Sequence, residues 1–117
     1  MPWRVHFYVG PDGSRPVEEF LLGLSVAARA KAVAVVRLLQ EAGPALPFPY
    51  SSQVRGRLRE LRTRAGRERI RLLYFADARR DFILLHGLVK RSAALPEADI
   101  RLAEQRMAMH SRRLEER

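Results

Sequence analysis

Cysteine is absent from this 117-residue sequence. That excludes a disulfide scaffold, a thiolate zinc site, an iron–sulfur cluster and a cysteine nucleophile. Long apolar runs are missing too. The longest, such as Ala32–Val36 and Phe82–Leu85, fall far short of a bilayer span. The first residues, Met1 to His6, alternate apolar and polar, unlike the basic-then-apolar start of a signal peptide. A soluble cytoplasmic domain without membrane contact is expected. Lysine is nearly absent, with only Lys31 and Lys90 among 22 basic residues.

What is present is arginine. Twenty arginines and two lysines against 13 acidic residues leave a net charge of +9. A small domain with that surplus usually meets a polyanion, most often nucleic acid, or an acidic protein. The apolar fraction of 47% is ordinary for a folded chain, and the length suits one domain over residues 1–117.

Trp3 to Val9 alternates with period two, which predicts a strand, and Gly10-Pro11-Asp12-Gly13-Ser14 supplies a turn. Pro16 suits the first turn of a short helix, with Glu18 and Glu19 at its positive end. Ser25 is an N-cap for a helix through about Ala42, with Val26, Ala30, Val33 and Leu38 in its apolar stripe. Pro44 to Gln53 reads as a loop. Three β-rich segments follow, Arg57–Arg64, Arg69–Ala76 and Phe82–Lys90, whose short polar connections suggest an antiparallel meander. Pro96 opens a last helix to about Leu114, striped by Ile100, Ala103 and Met107. The order β-α-α-β-β-β-α predicts an α+β domain, a small twisted, mainly antiparallel sheet with helices packed on one face.

Eight arginines fall between Arg55 and Arg71 (Arg55, Arg57, Arg59, Arg62, Arg64, Arg67, Arg69, Arg71), against Glu60 and Glu68. On the strand 69–75, residues 70, 72 and 74 share an apolar face. The other face begins with Arg69 and Arg71 and ends in Leu73 and Phe75, so it is expected half open and half covered. His86, Leu88 and Lys90 share one face of the last strand. Arginine forks suit phosphate oxygens, and Tyr74 and Phe75 offer stacking surfaces for bases, although Tyr74, on the face of Ile70 and Leu72, also suits packing. The same stretch also fits a solvated, salt-bridged edge that discourages sheet-to-sheet aggregation. His6, His86 and His110 lack metal-ligand spacing, and there is no P-loop or dinucleotide fingerprint, so neither metal nor cofactor is expected.

Taken in order, several segments are similar to the HigB-like, phage-derived branch of the RelE/ParE toxin superfamily. They are Trp3 to Tyr8, Pro16 to Leu21, Leu58-Arg59-Glu60-Leu61-Arg62, Arg69 to Phe75, Leu84 to Arg91 and Ala103 to Arg106. The resemblance implies the toxin of a type II toxin–antitoxin module. Such a toxin is a metal-independent endoribonuclease that cleaves mRNA at the ribosome and is silenced by a cognate antitoxin, often a helix-turn-helix protein. It implies phosphate binding and transition-state stabilisation by Arg62 and Arg71, with Lys90 and Arg91 next. Glu60 or His86 would serve as general base, although Glu60 also suits a salt bridge that orients the arginines, and His86 a hydrogen-bonded sheet histidine. Arg55, Arg57, Arg59, Arg64, Arg69 and Arg91 would line the RNA. RelE-type toxins often carry a catalytic tyrosine or histidine near the C-terminus, whereas this chain has no tyrosine after Lys90 and its His110 falls late in the last expected helix. The ParE side of the superfamily inhibits DNA gyrase, and a basic RNA-binding module without catalysis fits the same arginines.

Overall fold

Strand β1 (Val5–Phe7) precedes helices α1 (Pro16–Leu22) and α2 (Val26–Ala42). Strands β2 (Ser51–Arg55), β3 (Leu58–Ala65), β4 (Glu68–Ala76) and β5 (Phe82–Lys90) follow, and α3 (Glu97–Glu115) ends the chain. The computed structural model describes residues 2–116. The sheet runs β1-β5-β4-β3-β2. β1 lies parallel to β5, with Val5 opposite Phe82, and the other pairings are antiparallel. The α+β class and the mainly antiparallel sheet are as expected, with one strand more than the sequence pattern showed.

That extra strand is β2, which occupies part of the expected Pro44–Gln53 loop. Its Ser-Ser-Gln start has little intrinsic strand preference. Pairing with β3 holds it there, Ser51 opposite Leu61 and Ser52 opposite Glu60.

Helices start where their caps predict. Pro16 opens α1 above Glu18 and Glu19, and the Ser25 hydroxyl accepts the Ala28 amide at 3.2 Å. The buried stripe of α2, however, is Ala28, Ala32, Val35 and Leu39, while Val26, Ala30, Val33 and Leu38 are exposed. The helix is apolar on several sides, so periodicity alone left its orientation undecided. The small Ala28 and Ala32 let α2 settle close to the sheet.

The face that the expected helix layer covers is the one under α1 and α2, and α3 adds a second, smaller apolar layer on the opposite face. α1 and α2 bury Leu61, Ile70, Leu72, Tyr74, Phe82 and Leu84 on one face. On the other, Ala103 of α3, flanked by Ile100 and Met107, packs on Leu58, Leu73, Phe75, Ile83 and Leu85. A bulge at Leu85 produces this placement. Leu73 pairs with His86 and Tyr74 with Leu84, so Leu85 and His86 both turn toward α3.

The far end of α3 is tied to the β4–β5 connection. The Asp77 carboxylate, fully buried, accepts His110 Nε2 at 2.9 Å and the amides of Arg79 and Asp81 at 2.9 and 3.1 Å. Burial works against that charge, but the hydrogen bonds from His110 and the two amides win and hold the carboxyl below the usual carboxylate range. A depressed carboxyl stabilises the fold above its unfolded pKa and loses that contribution as pH falls through the folded value. Asp77→Asn is therefore expected to melt below wild type at neutral pH. The two melting curves should converge under acid conditions, below about pH 3.9. A constant gap across that range in a pH series of thermal melts would show that the charge is not what stabilises this corner.

Candidate nucleic-acid interface

Strand register builds a lattice on the α3 side of the sheet. Glu60, Leu73 and His86 form one row across β3, β4 and β5. Arg62, Arg71 and Leu88 form the next, and Arg64, Arg69 and Lys90 the third. With strands spaced about 4.8 Å apart and same-face residues about 7 Å apart, the patch is on the order of 10 by 14 Å. α3 covers the row containing Leu73 and leaves the Arg64–Arg69–Lys90 row uncovered. This is the half-covered, half-open face that the alternation on 69–75 predicts.

At the centre is a buried ion pair. Arg71 is 5% exposed and Glu60 6%. Arg71 Nε lies 3.2 Å from Glu60 Oε1, but its N–H is not aimed at that oxygen, and neither atom has a hydrogen-bond partner among the described residues. Arg71 Nη1 donates to the Ile70 carbonyl at 3.0 Å. The other Glu60 oxygen accepts the Ser52 hydroxyl at 3.2 Å and faces Arg62 Nη1 at 3.5 Å. One carboxylate thus lies against two arginines. Burial, and then Arg62, pushes the Arg71 guanidinium down from its ordinary pKa, against the pull of Glu60. The Lys90 ammonium is lowered by burial and by Arg71, with Glu60 again opposing.

The structure brings together Glu60, Arg62, Arg64, Arg69, Arg71 and Lys90 of the expected site. His86 shares the lattice, but both its ring nitrogens are occupied. Nε2 lies 2.6 Å from Asp99 Oδ1, and Nδ1 is 3.4 Å from Arg106 Nη1, which also donates to the Leu85 carbonyl at 2.8 Å. A guanidinium can only donate, so Nδ1 accepts and Nε2–H donates to Asp99. His86 thereby ties β5 to the start of α3.

Four of the expected RNA-lining arginines stand elsewhere. Arg55 is held by Glu104 and Glu97 of α3 at 2.6 and 2.9 Å, and the two carboxylates raise its pKa. Arg57 lies over the Phe75 ring, 5.4 Å from its centre. Arg59 points to the other face and donates twice to Ser51 Oγ, which shares a hydrogen bond with the Tyr74 hydroxyl. Arg91 is exposed just past the end of β5. Tyr74 and Phe75 are buried in the two cores and offer no surface for a base. Alternation placed them correctly on opposite faces; it could not show that each face is roofed at that end.

The exposed aromatics lie elsewhere. Phe48 and Tyr50, in the segment between α2 and β2, are 69% and 45% exposed. Arg62 lies over the Phe48 ring, 5.2 Å from its centre. A groove of about 580 Å³ joins the cations Arg62, Arg64, Arg69, Arg71 and Lys90 to Pro49, Tyr50 and the flank of α2. The available signal was two aromatics in a proline-rich stretch with no helical or strand periodicity to bury them.

Among the described residues, no helix is long and apolar enough to cross a membrane, and no cluster of His, Asp and Glu is arranged to hold a metal. No curated protein matches the chain. The family model described as "Phage derived protein Gp49-like (DUF891)" matches residues 19–108, which include β2 to β5 and therefore the whole cationic lattice. Because that match takes in most of the chain, the protein belongs to the Gp49-like family of phage-derived proteins.

Proposed function

We propose that this protein is the toxin of a type II toxin–antitoxin module, on the HigB-like branch, and that it cleaves mRNA at the ribosome without a metal. Membership of a phage-derived, toxin-like family supports the toxin role. The observation that carries the nuclease reading is the lattice of five cations around one buried carboxylate on a half-open sheet face.

In cleavage by attack of a ribose 2′-hydroxyl on the adjacent phosphorus, the hydroxyl gives its proton to solvent and the P–O2′ bond forms as P–O5′ breaks. The phosphorane between them carries extra negative charge before a 2′,3′-cyclic phosphate and a 5′-hydroxyl separate. Cations fixed beforehand stabilise that charge without reorganising. In this reading Arg62 and Arg71 hold the phosphate, and Glu60 sets their positions instead of taking a proton. Arg64 and Arg69 extend the contact along the strand. With both His86 nitrogens occupied, Lys90 is the titratable group at the open end of the lattice, and its lowered pKa suits it to protonate the leaving 5′-oxygen. An antitoxin, in this reading a helix-turn-helix protein with an acidic segment, silences the toxin by covering the lattice.

Induced expression in a bacterial host followed by primer extension tests the reading. Wild type should create new mRNA 5′ ends. Arg62→Ala should make them about 10²–10³-fold more slowly, and cleavage in vitro should persist with a chelator. Growth arrest without new ends would shift the reading to gyrase inhibition. Neither arrest nor new ends would leave an RNA-binding module without catalysis.

Salt provides an independent check. If all five lattice cations contact phosphates, log affinity for single-stranded RNA should fall against log salt with a slope of about −3.5. Binding that stays flat from low to moderate salt would remove the lattice as the contact surface.

A further inference from the structure

The segment carrying Phe48 and Tyr50 is a built surface, not a loose connection. The Tyr50 amide donates to the Pro47 carbonyl at 3.0 Å, and the Ser51 amide donates to the same carbonyl at 3.1 Å. The Tyr50 carbonyl accepts the Arg62 amide at 2.8 Å, which fastens the segment to β3. Two large aromatic rings are therefore held out toward solvent at fixed positions. One of them lies against Arg62, the arginine that also faces Glu60. Exposing such rings wastes apolar burial unless something covers them.

We infer that Phe48 and Tyr50 form a nucleobase-stacking subsite that holds an unstacked base of single-stranded RNA while its phosphate sits on Arg62 and the neighbouring cations. The inference rests on the RNA-cleaving reading above and specifies how the substrate is gripped. Charge selects this occupant, since Arg62, Arg64, Arg69, Arg71 and Lys90 line the same groove as Tyr50. A groove with a cationic side for the backbone and aromatic faces for the bases is the arrangement that binds single strands. Paired bases are already stacked on one another, so the rings favour loops and open strands over duplex. Arg62 belongs to both halves. Its guanidinium backs one ring and reaches the phosphate-binding row, which fixes the spacing between base and phosphate.

The test measures binding of a 2′-O-methyl RNA dodecamer, which cannot be cut, by fluorescence anisotropy. Inorganic polyphosphate serves as a polyanion without bases. Phe48→Ala and Tyr50→Ala should each weaken RNA binding about five- to 150-fold and leave polyphosphate affinity and melting temperature near wild type. Phe48→Trp should retain RNA affinity. Equal losses for RNA and polyphosphate would overturn the subsite, because the rings would then act only through fold or charge. Unchanged RNA affinity with a steep salt slope would also overturn it while sparing the cationic face. Variants that keep RNA affinity but lose a co-expressed acidic partner would reassign the rings to a protein contact. If wild type binds polyphosphate but no RNA, the subsite and the nuclease reading fall together.

Discussion

Lys90→Arg is expected to bind RNA about as well as wild type and to cleave it about 10²–10⁴-fold more slowly. Arginine keeps the positive charge beside Arg69, so the electrostatic grip on the backbone survives. What it loses is a readily released proton, because a lysine with a lowered pKa gives up its proton far more easily than a guanidinium does. The pH profile separates this role from charge alone. Burial and Arg71 lower the Lys90 pKa, so wild-type cleavage should fall on the alkaline side as that lysine deprotonates, at a pH below the ordinary lysine value of about 10.4. The residual activity of Lys90→Arg should lack that alkaline limb. Full-rate cleavage by Lys90→Arg in a single-turnover assay would remove Lys90 as the proton donor.

Local signals were the legible part of the fold. Ser25 caps its helix as its hydroxyl predicts, Pro16 and Pro96 mark helix starts, and the alternation at 69–75 orients β4 correctly. Signals that depend on distant partners were not legible. β2 exists because β3 pairs with it, and α2 buries Ala28 and Ala32 instead of Val26 and Val33 because of where it crosses the sheet. Register at 60–64, 69–73 and 86–90 turned a run of arginines into a lattice, and that step needed only the strand pairings. Which arginines face the lattice, and which are spent on the protein, needed the third dimension. Arg55 meets Glu97 and Glu104, more than 40 residues away in sequence, and Arg59 turns to Ser51. Charge density drew attention to the stretch 55–71 without distinguishing these placements.

Removing Glu60 should destabilise the protein more than removing Arg71, although they form one ion pair. Glu60→Ala strands Arg71, 5% exposed, beside Arg62, Arg64 and Arg69 with no carboxylate to offset them. Breaking a buried pair from one side costs about 3–5 kcal/mol, or roughly 10–20 °C in melting temperature for a domain of this size. Arg71→Ala should cost less, since Glu60 still faces Arg62 at 3.5 Å and accepts the Ser52 hydroxyl. The double variant Glu60→Leu with Arg71→Met should recover most of the stability, because no charge is then left buried in the sheet. A double-mutant cycle by thermal or urea unfolding measures all three terms. If the apolar pair folds well but neither binds nor cuts RNA, the buried ions are kept for the work of the site and not for the fold. A double variant as unstable as Glu60→Ala would show instead that the sheet depends on this pair for its packing, and loss of activity in Arg71→Ala could then no longer be read as loss of a phosphate contact.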